Sequence, residues 1–416
     1  MIRILTKKEY KVSFPLWLAF IACIFSFSAG YAQTVTPEQA LEIFLESTSL
    51  NKNQTAVFVW DLEADYQVAS YRAANSIVPA SVMKCVTVAE LQSCVDPKDQ
   101  IITRVFIDGK VSDGKLNGNI VIKGAGDPSL GDGRHKNQAD FIDEIISALG
   151  NKGISEIAGT VVIDDELFQG SAVHPSWPEA DLSQSYGTGC HAFNFEGNAS
   201  GKVSVKNPSD VFIRKLKGAM SAAGISLAGK NLDSGNSRQE ILLEYKSPAL
   251  GTLMRSCMFR SDNLYAETFL RLFGVNNGCD GSVESSASVA MQHWDALNYP
   301  LAGVYIADGS GLSRENSLTA EFLGSVLIGL KDDPDYLTYF PLVGEEGTVR
   351  NFMKDTPLQG RMALKTGSMN GIQSYAGYVL DEDYFPTHAV VVMTNDLKNR
   401  DNYRKALAKF FLTLFE

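Results

Sequence analysis

The 416-residue chain has little of what holds metals, nucleic acids or nucleotides. It contains five histidines and six cysteines. The histidines are scattered, and Cys190 and His191 are adjacent, which is the wrong spacing for shared ligation. No metal and no cofactor is expected. Basic residues are outnumbered, 37 against 48 acids, for a net charge of −11. That balance excludes a polyanionic nucleic-acid partner and tolerates a substrate with an exposed amine. The glycine-rich stretch Gly124-Ala125-Gly126-Asp127-Pro128 lacks the Gly-Lys-Ser/Thr ending of a phosphate loop. There is no internal repeat and no low-complexity segment. Beyond the N-terminus no run is long and apolar enough to span a bilayer.

The first residues stand apart. Arg3, Lys7, Lys8 and Lys11 precede an apolar run from Leu16 to Phe27, and Ser28-Ala29-Gly30-Tyr31-Ala32 offers small residues for cleavage. Residues 1–32 are expected to be a secretory signal, cut after Ala32. An uncleaved anchor and lipidation at Cys23 are the alternatives. Removing four basic residues and Glu9 with the signal leaves the mature chain at −14. Five cysteines then remain, Cys85, Cys94, Cys190, Cys257 and Cys279; an odd number leaves at least one unpaired, and the spacing is no disulfide framework.

Hydrophobic content of 45% and charged content of 20% are those of a globular protein of about two domains. Thr36-Pro37-Glu38-Gln39 is a capping-box helix start. Strands at 56–60 and 67–71 flank a turn at 62–65, which predicts a hairpin. From about Asp96 to Pro248 the texture is short strands, Gly/Asp turns, and amphipathic helices ending at Gly150 and Gly224. Helices return at 250–260, 264–273 and 320–330. Strands at 363–367, 374–380 and 388–393 read as a meander, and Asp401 is expected to cap a last helix. Strands at both ends predict one antiparallel sheet covered by helices, an α+β fold. The expected division is 33–95 with 249–416, and an inserted α+β domain at 96–248.

Chemistry concentrates in three clusters. In Pro79-Ala80-Ser81-Val82-Met83-Lys84, a serine opens a helix and a lysine follows one turn later. Residues i and i+3 share a face, so the amine can reach the hydroxyl. The bland reading is a helix-capping serine. Ser49-Leu50-Asn51-Lys52 and Ser112-Asp113-Gly114-Lys115 share the spacing without opening a helix. Ser261-Asp262-Asn263 lies between two helices, where it can equally be a cap; Ser234-Gly235-Asn236 has the same pattern. Lys365-Thr366-Gly367-Ser368 lies on a strand, where its lysine can equally be solvated.

Together the three clusters assign complementary roles. Ser81 is the nucleophile, and a desolvated Lys84 beside Lys365 is its base. Ser261 relays a proton and Asn263 holds a carbonyl. Lys365, Thr366 and Ser368 take a terminal carboxylate. Gly367 leaves a strand edge open for an extended peptide. The backbone N–H groups of Ser81 and Ser368 are expected to form the oxyanion hole.

The ordered trio is that of penicillin-binding proteins and class A β-lactamases. The chain resembles the D-alanyl-D-alanine carboxypeptidase/endopeptidases, the class C low-molecular-mass penicillin-binding proteins. Further matching stretches are Gly118-Asn119-Ile120-Val121, Gly126-Asp127-Pro128-Ser129-Leu130, Gly159-Thr160-Val161-Val162-Ile163-Asp164, Asp308-Gly309-Ser310-Gly311-Leu312-Ser313-Arg314 and Gly347-Thr348-Val349-Arg350-Asn351. The resemblance implies a penicillin-binding-protein/β-lactamase-like transpeptidase domain with an insertion. It implies a periplasmic enzyme acting on peptidoglycan stem peptides through an acyl-serine, with β-lactams as covalent inhibitors. It also implies that Asp181, with Tyr186 and Met369 as the apolar wall, holds the amino end of a diaminopimelyl side chain. The bland reading of Asp181 is a solvated loop acid. One departure is visible: after Ala192-Phe193-Asn194-Phe195 the family usually carries a further inserted domain, whereas here the chain passes directly to Val203-Ser204-Val205-Lys206-Asn207-Pro208. A non-catalytic penicillin-binding or sensor module, and a β-lactamase or esterase on the same fold, are the competing functions.

Overall fold

A computed structural model of the protein describes residues 35–47, 50–135, 138–232 and 239–416. The expected signal segment, with Cys23, lies outside them, as do Ser49 and Ser234-Gly235-Asn236. In chain order the first elements are α1 (Pro37–Leu45), β1 (Thr55–Asp61), β2 (Tyr66–Tyr71) and α2 (Met83–Gln92). Next come β3 (Gln100–Ser112), β4 (Lys115–Lys123), α3 (Phe141–Asn151), β5 (Glu156–Ile157), β6 (Val161–Asp164), β7 (Ala199–Ser200), β8 (Val203–Ser204), α4 (Pro208–Ala222), β9 (Ser226–Leu227) and β10 (Glu240–Ala249). The last are α5 (Leu250–Arg260), α6 (Asn263–Asn276), α7 (Val283–Ala296), α8 (Ala320–Gly329), α9 (Pro334–Thr338), β11 (Met362–Met369), β12 (Ile372–Leu380), β13 (Pro386–Thr394) and α10 (Arg400–Phe415).

Five strands from the two ends of the chain form one antiparallel sheet, ordered β11-β12-β13-β1-β2. Both faces are covered, because side chains alternate along each strand. Phe58, Ala376, Val391 and Met393 face a core shared with α2, α5, α6 and α8. Their neighbours Val57, Val59, Tyr375, Val390 and Val392 face α1 and α10. Double coverage explains the near-continuous apolar runs of β12 and β13. Helix α2 is buried on all sides from Met83 to Leu91, so any polar group on it must find a protein partner. Thr87 donates to the Gly309 carbonyl at 2.7 Å, and Glu90 accepts from the Trp294 indole at 2.7 Å.

A second sheet, β10-β3-β4-β5-β9 with β6 on β4, mixes antiparallel and parallel pairs. It packs with α3 and α4 around a core that includes Phe141 and Phe212, ring centroids 5.5 Å apart. Two local expectations change, and a third point agrees with the sequence. Helix α3 runs through Gly150 and stops before left-handed Gly153 (φ 69°). Asn399, not Asp401, caps α10, its side chain accepting from Asn402 N; both residue types cap well, so type alone does not choose. Between Asn198 and Pro208 only the two-residue strands β7 and β8 intervene.

Candidate active site

The nucleophile candidate sits where the chain is strained. Ala80, just before Ser81, has φ 51°, and Ser261, which ends α5, has φ 57°. Such left-handed non-glycine residues persist only where the surroundings impose them. Here the imposition is close packing. A Cβ on Gly367 would lie 2.6 Å from the Pro79 carbonyl oxygen and 3.1 Å from Ser81 N. A Cβ on Gly311 would lie 2.0 Å from the Ala80 oxygen. Ser81 is thus held in a short 3₁₀ turn, Ala80–Val82, between β11 and the 308–312 loop. Neither this turn nor α2 has a side-chain cap, so the helix-capping reading of Ser81 is set aside.

Lys84 is fully buried. Its amine donates to Ser81 Oγ at 3.0 Å, Asn263 Oδ1 at 2.8 Å and the Ser310 carbonyl at 2.6 Å. All three partners are neutral. Burial pushes its pKa below the ordinary lysine value, against the pull of Asp308, Glu267 and Asp262. Lys365 is also buried and donates to Ser261 Oγ at 2.9 Å and the Thr366 carbonyl at 2.6 Å. Burial, then the charge of Lys84, push it down to about 7. Burial loosens the hold of both amines on their protons, and the charge of Lys84 adds to this at Lys365.

Within Ser261-Asp262-Asn263, capping and chemistry are divided. Asp262 caps α6 through Tyr265 N at 3.2 Å and pairs with Arg134. Its two neighbours hold the amines. Asn263 also donates from Nδ2 to the Tyr186 carbonyl at 2.8 Å, and the Tyr186 hydroxyl donates to Asp181 Oδ1 at 2.8 Å. The loop bearing Asp181 is anchored by Trp177, whose indole donates to Asp308 Oδ2 at 2.7 Å. Asp308 also accepts from Gly311 N and Ser313 N, while Glu267 accepts from Ser310 N at 2.8 Å. The 308–313 loop therefore presents its Ser310 carbonyl to Lys84 from a backbone that two buried carboxylates fix.

Strand β11 is the edge of its sheet. The 341–343 segment pairs its outer side only as far as Leu364 N, bonded to the Pro341 carbonyl at 3.0 Å. Among the described residues no strand pairs that side from Lys365 onward. A cleft of about 750 Å³ lies there, lined among others by Ser81, Asp181, Tyr186, Ser261, Asn263, Thr366, Ser368 and Met369. Lys84, Lys365 and Gly367 lie behind this lining, touching Ser81, Asn263 and Ser261 through the contacts above. All eleven residues singled out in the sequence are therefore gathered at one place. The sequence reading quoted Ser310, Arg314 and Thr348, which bonds Thr366 Oγ1 at 2.8 Å, only as parts of matching stretches without a site role, and missed the cleft arginines Arg400 and Arg404. Among the described residues no group of three or more His, Cys, Asp or Glu side chains is arranged to hold a metal, and the five cysteines are free.

The family model for D-Ala-D-Ala carboxypeptidase 3 (S13) matches residues 38–201 and 194–414, two stretches that overlap at 194–201, up to the short strand β7. The chain belongs to the S13 D-Ala-D-Ala carboxypeptidase family. Relatives include a D-alanyl-D-alanine carboxypeptidase DacB of Haemophilus influenzae, 23% identical and covering 75% of this chain and 79% of the relative. A D-alanyl-D-alanine carboxypeptidase of Actinomadura is 22% identical over 84% of this chain and 80% of its own. The crystal structure of penicillin binding protein 4 (dacB) from Haemophilus influenzae superimposes with a TM-score of 0.78 at 20% identity, covering 90% of this chain and 98% of that one. The fold is accordingly the penicillin-binding-protein type, α+β with a five-stranded antiparallel sheet and a second, mixed one.

Proposed function

We propose that the protein is a serine DD-peptidase of peptidoglycan that works through a Ser81 acyl-enzyme and is acylated by penicillins. The observation that carries this reading is the buried Lys84 amine, 3.0 Å from Ser81 Oγ and surrounded by neutral acceptors. A neutral Lys84 takes the Ser81 proton as Oγ attacks the D-alanyl carbonyl. The Ser81 and Ser368 N–H groups receive the oxyanion. Ser261, bonded to Lys365, passes a proton to the leaving D-alanine nitrogen. Lys365 and Thr366 take the carboxylate of the departing residue. Water then attacks the ester. Asp181, with Tyr186 and Met369 beside it, receives the amino end of a diaminopimelyl side chain. D-Alanine removal, cleavage of D-Ala–diaminopimelate crosslinks, or both fit this cleft.

Residues 33–95 with 249–416 are assigned as the peptidase domain and 96–248 as an insertion, a division supported by the two separate sheets. Residues 1–32 are assigned as a cleaved export signal, placing the enzyme in the periplasm. Among the described residues no helix is long and apolar enough to cross a membrane.

The test is D-alanine release from a diaminopimelate-containing pentapeptide by the mature chain and by Ser81→Ala. Release that disappears in the variant is expected. A folded wild-type chain that releases nothing contradicts the carboxypeptidase reading.

The two amines also set a pH dependence. Lys84 must be neutral and Lys365 charged, so kcat/KM rises with pH as Lys84 loses its proton and falls as Lys365 does. Burial holds the Lys365 amine below the ordinary lysine value, so the alkaline limb is expected below the ordinary lysine range. A peptide with its C-terminal carboxylate esterified should lack that limb. Identical profiles for the two peptides would contradict the carboxylate role. The stability consequence has the opposite sign. Between about pH 7 and the unfolded lysine range the unfolded chain holds a proton that the native chain lacks, so this group's contribution to stability rises with pH.

A further inference from the structure

The protein carries an excess of acid, yet its cleft does not. Three arginines line it, Arg314, Arg400 and Arg404, and Asp181 is the only carboxylate among its described lining residues. Arg400 and Arg404 lie one turn apart on α10, so their side chains share a face. Neither is in an ion pair among the described residues. Arg400 donates to the Met369 carbonyl at 3.0 Å. Arg404 lies over the Phe352 ring at 5.6 Å and reaches the Tyr375 hydroxyl. Each guanidinium has five N–H donors, so these contacts leave donors for a ligand. Arg400 is also the first residue of its helix, where the local dipole disfavours a cation. Local helix energetics therefore do not explain the charge.

The direction of the bound peptide says what reaches these arginines. On the proposed reading, on which this inference rests, the terminal carboxylate lies at Lys365 and Thr366 and the scissile carbonyl lies between Ser81 N and Ser368 N. The acyl part must then continue past Ser368 toward Met369 and Asn370. That is the end of β11 where the Arg400 guanidinium sits. We propose that Arg400 and Arg404 form a carboxylate subsite for the acyl part of the stem peptide, upstream of the scissile bond. The ligand class is a peptide whose upstream residue keeps a free carboxylate, such as a γ-linked glutamyl residue, rather than a carboxamide. The subsite makes the enzyme sensitive to amidation of its substrate.

Two pentapeptides that differ only in a free or amidated γ-glutamyl α-carboxylate test this. Each is read by kcat/KM for D-alanine release and by competition against benzylpenicillin acylation. The wild-type chain is expected to prefer the carboxylate peptide by about tenfold, the worth of a charge-assisted bidentate contact. In the Arg400→Gln/Arg404→Gln chain the ratio should fall to within about twofold. In Arg400→Glu, at an exposed position, it should fall at least as far. A wild-type ratio near one overturns the subsite. So does an equal loss for both peptides in the variants, the result expected if the arginines only clamp the 369–371 turn. If the wild-type chain releases no D-alanine from either peptide, the peptidase reading fails, and the competition ratio still decides the subsite.

Discussion

Replacing Lys84 with methionine is expected to slow acylation of Ser81 by at least about 10³-fold, measured as the second-order rate of benzylpenicillin adduct formation. Methionine keeps most of the volume in a site with no exposure and removes only the amine. Among the described residues the amine is the one group bonded to Ser81 Oγ, at 3.0 Å, that can accept its proton. Without it, Asn263 Oδ1 and the Ser310 carbonyl lose their shared donor as well. The cost therefore includes some loss of stability, since buried acceptors are left unpaired. Thermal unfolding separates the two effects: a folded variant with normal acylation would remove Lys84 from the base role.

Gly367→Ala is the second large effect. The new methyl would stand 2.6 Å from the Pro79 oxygen and 3.1 Å from both Ser81 N and Val82 N. These are backbone atoms of a turn already bent into the left-handed region at Ala80. Relief requires β11 and the Ser81 turn to separate, and that separation moves Ser81 N away from Ser368 N. We expect about 1–3 kcal/mol of destabilisation. Peptide kcat/KM should fall by about 10²-fold, because catalytic geometry tolerates little displacement. Activity close to wild type would mean that the close approach is not needed for catalysis.

The chemistry of this protein was more legible in the sequence than its packing. Ser81 and Lys84 are one helical turn apart, and Ser261 and Asn263 flank a helix cap, so local spacing encodes them. The β11–β13 meander was legible because its faces are both buried and its turns are short. Strand β10 was not, because it is half-exposed and mixes Glu240, Glu244 and Lys246 with Ile241 and Leu243. Helix α7 also went unassigned, although Ser282 caps it. The third partner of Lys84 is a backbone carbonyl, at Ser310, and no side chain announces a backbone acceptor. Arg400 and Arg404 belong to the last helix and approach the cleft only through the sheet order, which brings α10 beside β12. Their side chains carry no local motif. Gly367 was read as leaving an edge open; its closer constraint, contact with Pro79 and Ser81, is visible only in three dimensions.

The most direct measurement of the central claim is the mass of the mature chain after exposure to benzylpenicillin, with the adduct located by peptide mapping. A single penicilloyl adduct on Ser81, absent in Ser81→Ala and strongly slowed in Lys84→Met, is the predicted result. An adduct on another residue, or none on a folded chain, would contradict a Ser81 acyl-enzyme activated by Lys84.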